Sequence, residues 1–175
     1  MKRYLFGILT SMVLMSGCDR NEPAVSEIPA IAFKEYRFER EDLGGIPTDF
    51  FYVTFEYIDG DGDIGMEEGQ DHIPGHPEIK HNLFVDYYEE GEDGFQKDVE
   101  CAIGGSIGTK KYVLESITPT GNNKSIKGEM TVKLETCETP LDTIKNIRYN
   151  IYLVDRKLNY SNEIETPIIP YETQK

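Results

Sequence analysis

The chain has 175 residues and carries 32 acidic against 18 basic side chains, which gives a net charge of −14 at neutral pH. A charge of this sign repels phosphate backbones and anionic lipid surfaces, so we expect no nucleic-acid partner. Aromatic residues make up 11% of the chain and recur along it, which excludes intrinsic disorder as a description of the whole.

The first 17 residues have the layout of a bacterial secretory signal. Lys2 and Arg3 form a short basic region, and the apolar run YLFGILTSMVLM follows, too short to span a bilayer comfortably. The stretch LMSGC, which ends at Cys18, resembles the lipobox of bacterial lipoproteins, in which cleavage precedes the cysteine and the thiol carries a diacylglycerol. The alternative is an ordinary cleaved signal with a chance cysteine.

Cleavage before Cys18 would remove the two basic residues of the signal and no acidic one. The remaining chain would carry 16 basic and 32 acidic side chains, a net charge of −16. Acyl chains on Cys18 would anchor it to a membrane, because each buried methylene contributes about 0.8 kcal/mol. We expect residues 18–30, which are polar and contain two prolines, to form a lipidated flexible tether. Residues 31–175 have the length of one domain.

The first two predicted strands show the period-two alternation of a sheet. In residues 31–40 (IAFKEYRFER) it places two groups on opposite sides, Ile31, Phe33 and Glu35 against Ala32, Tyr36 and Phe38. In residues 49–58 (DFFYVTFEYI) it separates Phe51, Val53, Phe55 and Tyr57 from Phe50, Tyr52, Thr54 and Glu56. Both segments are rich in the aromatic and β-branched residues that strands favour.

Further strands follow at short intervals. They are predicted at 82–90, at 95–101 after a hairpin turn at 90–94, at 112–117, at 127–135 (with Met130, Val132 and Leu134 inward), at 147–155 (with Ile147, Tyr149, Ile151 and Leu153 together) and at 162–169. Clusters of Gly, Pro and Asn separate them, and no long window has helical periodicity. Short strands at this spacing predict an all-β fold, a single antiparallel β-sandwich.

Several motifs together resemble a family of uncharacterised Bacteroidetes-type lipoproteins. They are the lipobox, YIDGDGDIG, HNLFVDYYEEGEDGF, ITPTGNNKSIKGEMTVKL and IYLVDRKLNYSNEIETPII. The closing DRKLNYSNEIETP is also similar to the last hairpin of many immunoglobulin-like modules, where a D-R-x-x-N-x-S-N turn leads into an edge strand. The resemblance implies an immunoglobulin-like fold and a place in the cell envelope, on the outer membrane. It supplies no catalytic residues.

The stretch YIDGDGDIG sets Asp59, Asp61 and Asp63 two residues apart. Calcium takes six to eight oxygen ligands, and a backbone that curls at the intervening glycines can direct three such side chains to one centre. We therefore predict a metal site there, with calcium as the ion that hard oxygen ligands favour. The alternative is an acidic turn that stays solvated without metal, since Asp-Gly pairs form hairpins readily.

The same stretch departs from an EF-hand. Ile64 stands where that loop needs glycine, and Gln70 stands where it needs a bidentate glutamate. The preceding segment is predicted to be a strand rather than a helix. A different cage would take its remaining ligands from elsewhere, and the acidic side chains nearby are Glu67, Glu68 and Asp71.

Three histidines form a second possible site. His72 and His76 have the i, i+4 spacing that can hold zinc on a helix, and His81 follows. Pro74, with Gly75 and Pro77, forbids that helix, so the spacing loses its meaning. We expect a mobile loop, with zinc as the alternative.

Two cysteines remain when Cys18 is set aside. Cys101 and Cys137 would meet an oxidising compartment after secretion, where a disulfide between them would close a loop of about 36 residues and contribute about 3–4 kcal/mol. Two separately buried thiols are the alternative.

No nucleophile motif or phosphate-binding loop is present in the sequence, so we expect no enzymatic activity. The predicted function is that of a lipid-anchored extracytoplasmic binding or interaction module, stabilised by calcium, whose partner is an envelope protein or a glycan. One alternative is a metal-dependent hydrolase that uses the acidic loop with His72 or His76. The other is a purely structural envelope protein.

Overall fold

The computed structural model describes residues 24–45, 47–101, 105–117, 124–135 and 146–171. Eleven strands form within these ranges: β1 (Ala30–Asp42), β2 (Pro47–Asp59), β3 (Leu83–Gly91), β4 (Gly94–Lys97), β5 (Val99–Cys101), β6 (Gly105–Ile107), β7 (Thr109–Tyr112), β8 (Ile126–Glu135), β9 (Asn146–Leu153), β10 (Ile164–Glu165) and β11 (Ile169–Pro170). Across these same ranges, no helix has the length and apolar character needed to cross a bilayer. The signal, Cys18 and Cys137 lie outside them, so the lipidation and disulfide predictions stay predictions.

The strands form two main antiparallel sheets. The first sheet has the order β1-β2-β8. The second has the order β10-β9-β3-β4, with β11 also on β9 and β7 also on β3. A separate hairpin joins β5 to β6. The predicted all-β, antiparallel, sandwich-like architecture is confirmed.

The core lies between the two main sheets. On β2, Phe51, Val53 and Phe55, which are predicted to share a face, are fully inaccessible to solvent. On β9, Ile147, Tyr149, Ile151 and Leu153, which are also predicted to lie together, are all buried. The rings of Phe51 and Tyr149 lie 6.3 Å apart across the layers. Tilted aromatic pairs of this kind add to the stabilisation from burial alone.

The predicted division of β1 into two faces is wrong. The register of β1 against β2 shifts between Phe33 and Glu35, where Lys34 is the extra residue of a bulge. A bulge moves the residues that follow it onto the other face. Phe33, Tyr36 and Phe38 consequently all pack against the same core as Ile31.

Two of the later strands are shorter than predicted. The segment predicted as one strand at 162–169 is β10 and β11, both paired with β9. Pro167 lies between them, and proline cannot donate to a ladder. The strand predicted at 112–117 is β7, which starts earlier and ends at Tyr112. The chain then leaves the second sheet, and Glu115 forms an isolated bridge with Met66.

The loop between β2 and β3 has no helix, as predicted, but it has an apolar cluster of its own. Met66, Ile73 and Val154 are buried together, and Phe84 packs against them. The Ile73 amide donates to the Ile79 carbonyl at 2.9 Å, which closes the loop on itself. These contacts hold the loop against the end of the second sheet.

Candidate metal centre

The acidic loop begins where β2 ends, at Asp59. Gly62 has a φ of +66°, a left-handed conformation that glycine adopts without strain. This curl brings the Asp63 amide to within 3.0 Å of Asp59 Oδ2, to which it donates a hydrogen bond. Ile64, the next residue, is fully buried in the main core and holds the far side of the curl in place.

The three aspartates converge. Asp59, Asp61 and Asp63 each offer one carboxylate oxygen, and these oxygens all lie within 4.8 Å of one another. Asp59 is fully buried. In the described part of the chain, no group donates a hydrogen bond to Oδ1 of Asp59 or to Oδ1 of Asp63. Buried carboxylate oxygens ordinarily have such a partner or a metal.

The surroundings of Asp59 and Asp63 disfavour their ionised forms in the absence of a cation. Burial raises the pKa of Asp63 to about 7, and the charges of Asp155, Asp61 and Asp59 add to the effect against the opposing charge of Arg156. Burial also raises the pKa of Asp59, with further contributions from the charges of Asp61 and Asp155. A divalent cation would restore the ionised forms.

Asp155, which the sequence does not single out, lies beside the three aspartates. It is fully buried in the turn after β9, and its charge acts on both Asp59 and Asp63. Both of its oxygens accept hydrogen bonds: Oδ1 from the amides of Lys157 at 2.9 Å and Asn159 at 2.8 Å, and Oδ2 from Asn159 Nδ2 at 2.8 Å. In the sequence, the turn DRKLNYSN indicates fold alone. The signal that could have identified Asp155 is an Asp at the start of a turn, where its carboxylate can accept hydrogen bonds from the backbone amides two and four residues later.

Two cations flank the loop from the same turn. Arg156 donates from Nε to the Asp63 carbonyl oxygen at 3.1 Å and pairs with Glu67 at 3.2 Å. Lys157 Nζ lies 2.5 Å from Asp61 Oδ2, as an ion pair rather than a well-aligned hydrogen bond. Burial raises the pKa of Asp61, but contact with Lys157 outweighs it, and the net pKa lies below the ordinary value.

The segment before β1 also reaches this loop. The Gly60 amide donates to the Ser26 carbonyl at 2.8 Å. A Cβ added at Gly60 would lie 2.3 Å from the Val25 carbonyl oxygen, so only glycine allows this approach. Residues 25 and 26, which were predicted to belong to a flexible tether, thus contact the candidate site.

The other predicted site residues do not join the cluster. Glu67 pairs with Arg156, and the ring nitrogens of His72 and His76 lie near their own neighbours, Asp71 at 2.6 Å and Glu78 at 3.3 Å. Among the residues that the structure describes, the three aspartates are the one group of at least three His, Cys, Asp or Glu side chains that converge closely enough for a metal. The sequence spacing thus predicted that these three aspartates converge, but not which residues surround them.

No protein-family model, curated protein or solved structure matches this chain. The fold and the site by themselves define an antiparallel, sandwich-like β-protein with a loop of three convergent carboxylates at the end of one core strand.

Proposed function

We propose that this chain is a lipid-anchored extracytoplasmic binding or interaction module whose fold is stabilised by calcium held by Asp59, Asp61 and Asp63. The observation that carries the calcium site is the convergence of these three carboxylates within 4.8 Å, with buried oxygens that accept no hydrogen bond from the described residues. The lipid anchor is supported by the lipobox-like sequence LMSGC.

Charge repulsion is the physical reason for a cation. Two unit charges 4 Å apart repel by about 4 kcal/mol at an effective dielectric constant of 20. The curled backbone keeps the three carboxylates close together, and Lys157 offsets the charge of Asp61 alone. A divalent cation among them would add an attraction to each carboxylate that outweighs their mutual repulsion, and hard oxygen ligands with flexible geometry favour calcium over transition metals.

The position of the loop supports a structural rather than a chemical role for the ion. Asp59 ends a strand of the first sheet, and Asp155 and Arg156 follow a strand of the second. An ion held in the loop would stabilise the point where the two sheets meet at that end of the sandwich. The proposal assigns no reaction to the site.

The immunoglobulin-like relation is also a proposal. It is supported by the turn DRKLNYSN, which leads the chain from β9 into the short edge strand β10. In this turn the Ser161 amide donates to the Leu153 carbonyl at 2.9 Å, and Asn162 hydrogen-bonds both backbone groups of Ile31 on β1. The turn thereby links the edges of the two sheets.

Calorimetric titration of the purified chain with calcium, magnesium and zinc tests the ion site. We expect one calcium per chain, weaker magnesium, and no zinc site at His72 or His76. Asp61→Asn should abolish calcium binding. Asp93→Asn is the matched control, because Asp93 is an exposed carboxylate in another Asp-Gly turn. Calcium heats that are equal in Asp61→Asn and in the unaltered chain would refute the site.

Mass spectrometry of the mature N-terminus tests the anchor. We expect an acylated Cys18 as the first residue of the mature chain, whereas Cys18→Ser should be neither acylated nor cleaved and should keep residues 1–17. Pull-down of the native lipoprotein from solubilised membranes, followed by digestion of glycans, then separates an envelope-protein partner from a glycan. Recovery of the chain alone would favour the purely structural alternative.

A further inference from the structure

We infer that Lys157 competes with calcium for Asp61, and that Glu27, in the segment that leads from the anchor to β1, sets the strength of this competition by holding the same ammonium group. The inference rests on the proposed calcium site and names the residues that tune its affinity. It concerns a contact among three segments that are far apart in the sequence.

The geometry places one ammonium group between two carboxylates. Lys157 Nζ lies 2.5 Å from Asp61 Oδ2 and 3.1 Å from Glu27 Oε2. The Asp61 side chain is 17% exposed, whereas those of Lys157 and Glu27 are 53% and 70% exposed. The ammonium group therefore neutralises the partly buried carboxylate from its solvent side.

Calcium and Lys157 both require the negative charge of the Asp61 carboxylate. A calcium ion coordinated by Asp61 would place two positive charges beside the ammonium group, which must then withdraw or weaken the ion's binding. The side chain is free to withdraw without disturbing the fold, because the Lys157 backbone is held separately through its amide, which donates to Asp155 Oδ1 at 2.9 Å. The long lysine stem allows such a movement.

Glu27 gives the displaced ammonium group a second partner. With Glu27 present, Lys157 can leave Asp61 and remain paired, which favours calcium. Without Glu27, Lys157 loses this second partner and stays paired with Asp61, which weakens calcium binding. Because the neighbouring Ser26 carbonyl accepts from the Gly60 amide at 2.8 Å, the position of Glu27 is tied to the acidic loop itself.

Four forms of the full chain test this inference: the unaltered chain and the variants Lys157→Met, Glu27→Gln and the double variant. Calcium dissociation constants are measured by calorimetry at fixed ionic strength. We expect Lys157→Met to bind calcium about threefold to fivefold more tightly, the range set by one exposed ion pair. Glu27→Gln should bind about twofold to threefold more weakly. Glu27→Gln should have no effect when Lys157→Met is already present.

The double variant separates competition from a general field effect. If Glu27 acted only through its negative charge, its loss would weaken calcium binding equally with and without Lys157. Lys157→Arg, which keeps the charge, should not tighten binding. Melting temperatures in chelator show whether each variant is folded, and they should change little because both groups are exposed.

The outcomes also distinguish this inference from the proposed function. Calcium binding by the unaltered chain with the same affinity in Lys157→Met would overturn the inference and leave the calcium site standing. If Glu27→Gln changed calcium affinity equally in the unaltered chain and in Lys157→Met, Glu27 would not act through Lys157, and that part of the inference would be overturned. The absence of calcium binding in all four forms, the unaltered chain included, would overturn the proposed site together with the inference.

Discussion

Asp63 and Arg156 connect the two sheets of the sandwich. The backbone amide of Arg156 lies 3.2 Å from the Asp63 carbonyl oxygen, and its guanidinium Nε lies 3.1 Å from the same atom. One residue follows a strand of the first sheet and the other follows a strand of the second. The acidic loop therefore forms part of the contact between the two sheets. A change in the charge of its carboxylates should change the free energy of unfolding.

Calcium should stabilise the fold. At a calcium concentration of about 100 times the dissociation constant, binding contributes about 2.7 kcal/mol, which for a chain of this size corresponds to a rise in melting temperature of about 5–10 °C. Thermal melts followed by circular dichroism, with calcium or with chelator, measure it. The rise should vanish in Asp59→Asn and persist in Asp93→Asn. An equal rise in both variants would show that calcium acts elsewhere.

The stability without calcium should fall as the pH rises from 5 to 8. The pKa of Asp63 is about 7 in the folded chain, against about 3.9 for an unfolded Asp. The folded state therefore binds more protons between these values, and its stabilisation, complete below about pH 4, is lost as the pH rises through 7. Asp61, whose pKa is lowered, contributes the opposite slope only below about pH 4.

Urea unfolding in chelator at a series of pH values measures this slope. Asp63→Asn should reduce this slope, since an amide does not titrate, and the remaining slope should come from Asp59, whose pKa is also raised. Calcium needs ionised carboxylates, so the calcium-dependent gain in unfolding free energy should be larger at pH 8 than at pH 5. A gain that is independent of pH would contradict the assignment of Asp63 as a ligand.

Gly65→Ala should destabilise the fold strongly. Gly65 has a φ of +93°, and a Cβ there would lie 2.2 Å from the Glu115 carbonyl oxygen, which is backbone and cannot easily move. We expect a loss of roughly 3 kcal/mol or more. Gly69→Ala is the matched control, because Gly69 has a φ of +83° with no atom within 4 Å of the added Cβ. Its loss should be about 1–2 kcal/mol, and equal losses would argue against the close approach at Gly65.

Asp155→Ala should destabilise the chain even in chelator. Asp155 is buried and accepts from the amides of Lys157 and Asn159 and from Asn159 Nδ2, so its loss leaves three donors without that acceptor. Hydrogen bonds to a charged group are worth about 1.5–3 kcal/mol each, and partial replacement by water reduces the total to roughly 3 kcal/mol. Urea unfolding measures it. Asp155→Asn, which keeps an acceptor oxygen, should lose less.

The fold was largely predictable because its signals are local. The alternation of Phe51, Val53 and Phe55 and of Ile147, Tyr149 and Ile151 is written in consecutive residues, and burial of one face follows directly. The bulge at Lys34 leaves a weaker signal, a change of phase from Ile31 and Phe33 to Tyr36 and Phe38, which a period-two pattern alone does not distinguish from a change of face. Pairing with β2 identifies Lys34 as the extra residue.

The candidate site also has a part that the sequence predicts and a part that only the tertiary structure determines. The spacing of Asp59, Asp61 and Asp63 and the glycines between them determine that three carboxylates can meet, since a short curl is a local property of the backbone. The tertiary structure alone places Asp155 and Lys157 next to these carboxylates, because both residues lie in the turn after a strand of the other sheet, nearly a hundred positions away. Charge and hydrogen-bonding interactions depend on distance in space, which sequence spacing reports only within a single strand, turn or loop.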